Sequence, residues 1–443
     1  MTARIALGGD RQPPHTYGST HAGTSDATHR AFILAAGQAH VAVHNLDLIT
    51  FNFHIPAVFL NKNPLPREKT GNTQLFTRTP SNLPPPYDNK ICEVIGAHYG
   101  LKQSNHIFFD QDFITLMLND RFTQCTSHPY TFEKWSILNV HAPPPSHHLF
   151  VSMHVDDGDC NTTCPIMYRA FKKLIIDRYG DLEFHSLSKG TCGQEQVLIN
   201  SDKSITLHYG PYIRKMLKRI GMDILPPALS PDVKRLFEPS QDQTPLSLEE
   251  TAEFRTVNGE LIHVIPQRHD ARKVVTHLLT ITRNKSPDKG DYLKQLHFLR
   301  YLKSCPDLGP TFSSDPNNYP NGVDEIHSAS DCAHNVHVKG QSHGAYQITI
   351  GKPGAKTSPF CTYSICKGKR RLPHPHEGEY VILSRTAKQL LHWRQFATDL
   401  GFLQLKPSIM LIDNSTSIKL TKAPLIPAKS RYIELKHHIR WAY

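Results

Sequence analysis

The sequence lacks the features that place a protein in or across a membrane. No apolar run approaches the ~18 residues that a bilayer-spanning helix requires. The segment after Met1, "TARIALGGDRQ", has none of the apolar core of a signal peptide. We therefore expect a soluble, intracellular protein, cytoplasmic or nuclear, with no membrane partner.

Closely paired cysteines and internal repeats are also missing. The 9 cysteines are an odd number, and no two of them form a Cys-x-x-Cys pair. The nearest neighbours are Cys160 with Cys164 and Cys361 with Cys366, and neither pair has a second pair or well-placed histidines to complete a zinc site. We expect reduced, mostly buried thiols.

Negative charge is scarce relative to positive charge. The chain has 50 Lys and Arg against 39 Asp and Glu, a formal net charge of +11, and 28 histidines that add positive charge below neutral pH. Nucleic acid is the natural partner, because each phosphate that is neutralised releases counterions. At 443 residues the chain is too long for one compact core, so we expect several domains.

Local patterns predict loops and a helix in the first half of the chain. The proline-rich stretches at 80–89 and 141–150 interrupt regular structure and predict loops. The stretch "PIMYRAFKKLIIDRYG" at 165–180 predicts an amphipathic helix that ends at Gly180. Its apolar face consists of Met167, Ala170, Phe171, Leu174 and Ile175.

Two basic amphipathic helices are predicted in the middle of the chain, at 210–222 and 291–305. A polar stretch that contains Pro239 and Pro245 separates them. Because prolines and polar residues cannot build a core, we interpret this stretch as a linker between domains.

From about Ile326 the pattern changes to short strands and a helix. The stretches "AYQITIG", "YVILS" and "SIMLID" predict strands, and "TAKQLLHWRQFATDLG" at 386–401 predicts a helix capped by Gly401. This alternation is typical of an α/β domain.

A strand followed by an acidic turn is the sharpest chemical signal. In "HHLFVSMHVDDGDCN" an apolar run ends at Asp156-Asp157-Gly158, which predicts a hairpin. Two adjacent carboxylates at a hairpin tip can hold divalent cations where a phosphate must be neutralised. The alternative is a solvated turn, and only a wider set of motifs decides between them.

Such a set of motifs stands along the chain in a definite order. It begins with "TARIALGGDRQ", "NFHIPAVFLNK", "YGLKQSNH" and "HVDDGD", continues with "LHYGPYIRKMLKRIGM", "TVNGELIHVIPQRHDARKVV" and "HFLRYLKSCPDLG", and ends with "SASDCAH", "HEGEYVILS", "LIDNSTSIKL" and "SRYIELKHHIR". In this order the motifs resemble the reverse transcriptase and ribonuclease H region of copia-type LTR retrotransposon polyproteins. The resemblance covers nearly the whole chain.

The resemblance implies an α+β, multidomain fold: a right-hand polymerase of fingers, palm and thumb, a connection, and a C-terminal ribonuclease H-like α/β domain. Its implied boundaries are 1–195 for fingers and palm, 196–235 for thumb-like helices, 236–325 for linker and connection, and 326–443 for the ribonuclease H-like domain. The implied partners are an RNA template, a DNA primer or RNA–DNA hybrid, and dNTPs. The implied cofactor is Mg²⁺, with Mn²⁺ as the alternative.

For the polymerase, the resemblance implies three metal-binding carboxylates, of which two are Asp156 and Asp157. The third position holds His54. An imidazole is a poor ligand for Mg²⁺, which prefers oxygen, so we predict weak or absent polymerase activity. Asp47 is not expected to substitute, because its odd offset of seven residues along a strand reverses the face. The alternative for His54 is a satisfied core histidine.

Further positions carry implied roles or depart from the family pattern. Arg4, Gly100 and Lys102 match residues that contact the triphosphate or the new base pair, although solvated surface charges are the alternative for the two cations. Asn105 replaces the usual Pro, and His154 replaces the Tyr of Tyr-Val-Asp-Asp.

For the ribonuclease H domain, the resemblance implies a metal site of Asp331 at the end of a first strand, Glu379 before a helix, and Asp413 at the end of "IMLID". The fourth position holds Glu434 where the family usually has Asp. A basic cluster stands before Glu379 where a less charged segment is expected: Lys367, Lys369, Arg370 and Arg371.

Three functional hypotheses follow. The first is an RNA-directed DNA polymerase with ribonuclease H from a transposable element, in a truncated and degenerate copy with an impaired polymerase site. The second is a non-catalytic nucleic-acid-binding protein derived from such an element. The third is a chain that has gathered substitutions without selection.

Overall fold

A computed structural model describes residues 25–60, 76–79, 84–98, 101, 104–136, 147–187, 191–192, 195–232, 236–239, 242–284, 286–337, 341–366 and 375–422. The described residues form two compact units, one within Met1–Asp26 and Ile49–Ser186 and the other within Ala27–Leu48 and Leu187–Tyr443. Both units contain helices and sheets, so the expected mixture of α and β structure is confirmed.

The helices and strands are numbered along the chain. The helices are α1 (Ala27–His44), α2 (Ser104–His106), α3 (Ile114–Asn119), α4 (Pro165–Tyr179), α5 (Gly210–Arg219), α6 (Leu248–Val264), α7 (Arg272–Asn284), α8 (Lys289–Ser304), α9 (Pro375–Asp399) and α10 (Ser415–Lys422), with a π-helical segment, Ile107–Phe113, between α2 and α3. The strands are β1 (Ile49–His54), β2 (Phe76–Arg78), β3 (Ile91–Glu93), β4 (Thr123–Gln124), β5 (Thr131–Ser136), β6 (His147–His154), β7 (Asp157–Thr162), β8 (Phe184–Ser186), β9 (Thr191–Cys192), β10 (Glu195–Ile199), β11 (Ile205–His208), β12 (Thr311–Phe312), β13 (Ile326–His337), β14 (Gln341–Ile350), β15 (Cys361–Cys366) and β16 (Met410–Leu411). Among these described helices, none has the length and apolar character needed to cross a bilayer.

The first unit is built on a six-stranded sheet of order β4-β5-β6-β7-β1-β8. Helix α4 packs against it, with the Phe171 ring 5.7 Å from the Phe53 ring. The predicted helix at 165–180 is confirmed, and it ends at Gly180, whose φ of 91° few other residues adopt. The predicted apolar face is only partly correct, because Ala170 is exposed.

Glycine is required where β1 and β7 meet. Gly158 lies opposite Phe53, and a Cβ placed on it would stand 2.3 Å from atoms of the Phe53 ring. This close approach fixes the register of the two strands, because the ring fills the space that a side chain at Gly158 would need.

The predicted hairpin is confirmed, but its turn lies one residue earlier than expected. β6 and β7 pair from Leu149 with Thr162 to His154 with Asp157, which leaves Val155 and Asp156 as the loop. Val155 has a φ of 60°, a conformation that β-branched residues rarely adopt. Asp157 is therefore the first residue of β7 and not a turn residue.

In the second unit, α5, α6, α7 and α8 share one hydrophobic core. Two capping boxes begin the helices on either side of α7: Ser247 with Glu250 at α6, and Asp288 with Asp291 at α8. Helix α5 lies before the polar stretch with Pro239 and Pro245, and α8 lies after it. Because both helices contribute to the same hydrophobic core, this stretch does not separate two hydrophobic cores.

Helix α1 was not expected from the sequence. Its Phe32 stacks on Trp393 of α9 at 5.4 Å, and its Arg30 Nε donates to the buried Glu195 carboxylate at 3.2 Å. The Tyr209 hydroxyl also donates to Glu195, at 2.7 Å. These contacts explain why α1 belongs to the second unit.

The second unit also contains a sheet of order β15-β14-β13-β16, in which only the β13–β16 pairing is parallel. β14 contains the strand predicted at "AYQITIG", and β16 is a short part of "SIMLID". The strand predicted at "YVILS" is wrong, because Tyr380–Leu383 lie inside α9. All four of these residues are buried, and a short apolar run does not distinguish a strand from a buried helix.

Candidate metal sites

Within the described ranges, two groups of His, Asp and Glu side chains each bring three ligand atoms within 4.8 Å of one another. The first group is His54, Asp156 and Asp157 in the first unit. The second is Asp331, Glu379 and Asp413 in the second unit.

Strand pairing assembles the first group. β1 runs antiparallel to β7 with His54 opposite Asp157, and the Ile55 amide donates to the Asp156 carbonyl at 2.9 Å. The end of β1 is therefore tied to the hairpin loop, and the three side chains meet at that edge of the sheet.

His54 contacts the carboxylates directly. Its Nδ1 lies 2.9 Å from Asp157 Oδ1, at hydrogen-bond distance, and 3.9 Å from Asp156 Oδ2. The side chain is 49% exposed, so the alternative of a core histidine is wrong. Asp47 pairs instead with Lys203 Nζ at 3.1 Å.

The first group does not fit a magnesium ion. Mg²⁺ demands oxygen ligands in near-octahedral geometry, and this group offers one nitrogen and two carboxylates. The hydrogen bond between His54 and Asp157 also engages one of the Asp157 carboxylate oxygens. Magnesium-dependent chemistry is therefore not expected at this group.

Three different elements assemble the second group. Asp331 lies inside β13, Glu379 lies in the second turn of α9, and Asp413 follows β16 by two residues. The expected positions at the end of a strand and before a helix are thus corrected for Asp331 and Glu379. The parallel pairing of β13 with β16 brings Asp331 and Asp413 to the same region of the sheet.

Glu379 is the buried member of this group. The residue is 6% exposed, and its Oε1 accepts a hydrogen bond from the Cys332 amide at 3.3 Å. Its Oε2 is buried without a hydrogen-bond partner among the described residues. Burial, followed by the negative charges of Asp331 and Asp413, raises the pKa of Glu379 to about 7.

The second group fits a divalent cation. Its donors are all carboxylates, the ligand type that Mg²⁺ and Mn²⁺ prefer. A cation would also give the buried Glu379 oxygen a partner and offset the mutual repulsion of the three carboxylates.

Other predicted site residues lie outside the described residues: Arg4, Gly100, Lys102 and Glu434, together with the basic cluster at 367–371. The cysteines in the described ranges whose side chains are placed form no disulfide, and Cys125, Cys160, Cys164 and Cys361 are buried, as expected. Sequence reasoning missed Arg272, Tyr346 and Tyr363, which line a cavity beside Asp331.

No family model matches the chain. The chain is 22% identical over 362 residues to the retrovirus-related Pol polyprotein from transposon TNT 1-94 of Nicotiana tabacum. The chain is similar to a retrotransposon polyprotein. The match covers 79% of this chain and 25% of that polyprotein, so the chain spans about a quarter of its relative's length.

Among solved structures, a prototype foamy virus protease–reverse transcriptase matches with a TM-score of 0.19 and 12% identity. The match covers 91% of this chain and 42% of that one. A TM-score this low carries no argument about fold or function. The similarity to the retrotransposon polyprotein agrees with the retroelement origin that the motif order indicates, and it leaves the copia type as a prediction.

Proposed function

We propose that the chain is the reverse transcriptase and ribonuclease H region of a copia-type retroelement, and that its working site is the Asp331–Glu379–Asp413 group. The observation that carries this proposal is the buried Glu379 oxygen that has no hydrogen-bond partner among the described residues and lies in a group with two further carboxylates. Maintaining such a group is unfavourable for stability, and cation binding is the function that accounts for it.

The surrounding topology supports the proposal. Three antiparallel strands, β13 to β15, are followed by α9 and then by β16, which pairs parallel to β13. This order agrees with the ribonuclease H-like domain that the sequence resemblance implies. The basic charge of the chain agrees with a nucleic-acid substrate.

The protein's part in hydrolysis is to place negative ligands. The Cys332 amide donates to both Asp331 Oδ1, at 2.7 Å, and Glu379 Oε1, at 3.3 Å, and so holds the two carboxylates at a shared donor. Divalent cations bound there would activate water and neutralise charge that develops on the phosphate.

We further propose that the polymerase site is impaired. His54 stands where a carboxylate is expected and hydrogen-bonds Asp157. Losing one preorganised electrostatic group typically lowers a rate by ~10²–10³. The fingers, palm, thumb and connection boundaries remain predictions of the sequence.

Degradation of the RNA strand of an RNA–DNA hybrid tests the nuclease. Wild type should cleave with Mg²⁺, and Asp331→Asn and Asp413→Asn should not. Asp223→Asn is the matched control, because Asp223 is exposed and lies outside the site. Salt-sensitive binding of hybrid without any cleavage would refute the nuclease and favour the non-catalytic nucleic-acid-binding protein.

Extension of a primed RNA template tests the polymerase. Wild type and His54→Asn should give only background synthesis, while His54→Asp should raise synthesis by ~10² or more. His54→Asn is the matched control, since it removes the imidazole without supplying a carboxylate. Robust synthesis by wild type would contradict an impaired site, and no gain in His54→Asp would show that His54 is not what limits it.

A further inference from the structure

A cavity of about 540 Å³ lies between α7 and the sheet face that carries Asp331. The strand register shows which side chains share this face: Asp331, Ala345 and Ser364 form one row across the sheet, and Ala329, Gln347 and Thr362 form the next. The opposite face packs on α9, because a Cβ on Gly344, the neighbour of Ala345, would stand 3.2 Å from Ile382. The cavity and Asp331 therefore lie on the face opposite the one that packs on α9.

Small side chains make room for this cavity. The floor consists of Ala329, Ala333 and Ala345. Arg272 and Lys273 of α7 line the other side. Asp331 and Gln347 are exposed, so the cavity is open to solvent on the side of the acidic group. An extended ligand can thus reach from Arg272 to Asp331 along one face of the sheet.

Arg272 is the cation that faces the cavity without a carboxylate of its own. Its Nε donates to Thr362 Oγ1 at 2.9 Å, and its Nη2 lies 3.5 Å from the Ile265 carbonyl. Among the residues that the structure describes, no carboxylate pairs with it. The side chain is half-buried, and burial lowers the pKa of Arg272. A partly buried cation in this position is unfavourable unless an anion joins it.

The neighbouring cations of the same segment do have carboxylate partners. Arg268 is fully buried and pairs with Asp270 at 2.8 Å. Lys273 pairs with Asp232 at 2.5 Å. The chain thus neutralises the cations on either side of Arg272 with its own carboxylates and leaves the Arg272 guanidinium for an anion from outside.

A phosphate diester suits this position. It needs only positive charge and hydrogen-bond donors, and it requires no ring or apolar wall. Arg272 supplies the charge, and the Thr362 hydroxyl, which accepts from Arg272 Nε, still has its own proton to donate.

We propose that Arg272 is a positioning residue that holds a backbone phosphate of the nucleic acid beside the acidic group. Thr362 on β15 lies two strands from Asp331 on β13, which is ~10 Å at normal strand spacing. This span corresponds to about three nucleotides at the ~3.4 Å rise of one strand. Its role in positioning the scissile bond rests on the proposed function, whereas the phosphate contact itself does not.

Binding of a labelled RNA–DNA hybrid in EDTA, followed by fluorescence anisotropy at several salt concentrations, tests the contact without cleavage. Arg272→Gln should bind about tenfold more weakly at low salt, and its plot of log K against log salt should be shallower by about 1, because one phosphate contact is lost. Arg272→Lys keeps the charge and should keep the slope. Arg255→Gln is the matched control, since Arg255 is exposed on α6 and does not line the cavity.

Equal salt slopes in Arg272→Gln and wild type would overturn the proposal. The same loss of slope in Arg272→Lys and Arg272→Gln would also overturn it, because Arg272 would then act through the fold and not through its charge.

Cleavage of hybrids that carry a single neutral methylphosphonate locates the phosphate. With Mg²⁺, wild type should lose about tenfold in kcat/KM at the bond about three nucleotides from the neutral linkage, and Arg272→Gln should show no such loss, because it has already lost the contact. On the unmodified hybrid, Arg272→Gln should raise KM by about tenfold with kcat little changed. A methylphosphonate effect that is the same in both proteins at every position would overturn the placement.

The two experiments separate this inference from the proposed nuclease. An Arg272-dependent salt slope without any hybrid cleavage by wild type would refute the nuclease and leave the phosphate contact standing. Cleavage by wild type, with a salt slope that does not depend on Arg272, would do the reverse.

Discussion

Glu379→Gln should stabilise the metal-free protein at alkaline pH. The folded state raises the pKa of Glu379 from its ordinary value of 4.5 to about 7. Between these values the unfolded chain has lost the proton and the folded chain keeps it, so stability falls as pH rises through this window. At about 1.4 kcal/mol for each pKa unit, the full loss is ~3 kcal/mol. Glutamine removes the loss because it cannot ionise.

Urea unfolding at several pH values in EDTA measures this effect. Trp393 lies on α9 with Glu379 and is 2% exposed, so its fluorescence reports on the unit that contains the site. Replacing Trp135 and Trp441 by Phe leaves Trp393 as the only tryptophan. The variant should match the parent near pH 4.5 and exceed it by ~3 kcal/mol at pH 8.

Added Mg²⁺ should narrow or reverse this difference at pH 8, because a ligand that binds only the folded state stabilises it and the variant has lost a carboxylate. A variant that is no more stable than the parent at pH 8, or one whose advantage is the same at every pH, would refute the account of Glu379.

Two further predictions concern packing and charge. Gly158→Ala should destabilise the first unit by ~1–3 kcal/mol in urea unfolding followed by Trp135 fluorescence, because the new Cβ would overlap the Phe53 ring. Gly259→Ala is the control and should not destabilise its own unit, since its Cβ would meet nothing within 4 Å. Asp270→Asn should lower the stability of the second unit by ~3–5 kcal/mol, because it leaves the buried Arg268 charge unpaired; a change below about 1 kcal/mol would contradict this ion pair.

Local signals in the sequence were sufficient for some elements. The helix at Pro165–Tyr179 was predictable because its apolar spacing and its terminal glycine act within one element. The hairpin before it was predictable for the same reason, although the turn lies one residue from the Asp-Asp-Gly stretch. The exact loop depends on Val155, whose positive φ no sequence pattern signals.

Other elements depend on contacts between distant parts of the chain. The run at Tyr380–Leu383 has the apolar character of a strand, and only its burial within α9 makes it helical. Helix α1 is alanine-rich, and its place is fixed by Trp393 and Glu195, far along the chain. The capping boxes at Ser247 and Asp288, by contrast, are sequence motifs from which the starts of α6 and α8 could have been predicted.

Part of the candidate site could be predicted from the sequence. Motif order selected Asp331, Glu379 and Asp413, and the structure brings these three together. The burial of Glu379 and its unpartnered oxygen follow from packing, so the sequence could not supply them. Arg272 is one of many basic residues, and nothing in its local sequence marks it as one that lines a cavity together with Asp331.

A calorimetric Mg²⁺ titration of wild type, Asp413→Asn and Asp156→Asn tests the central claim most directly. The account predicts that wild type and Asp156→Asn bind Mg²⁺ equally, and that Asp413→Asn does not bind it, because the carboxylate group of the second unit fits the ion and the His54 group does not. Loss of Mg²⁺ binding in Asp156→Asn, with binding retained in Asp413→Asn, would contradict the account.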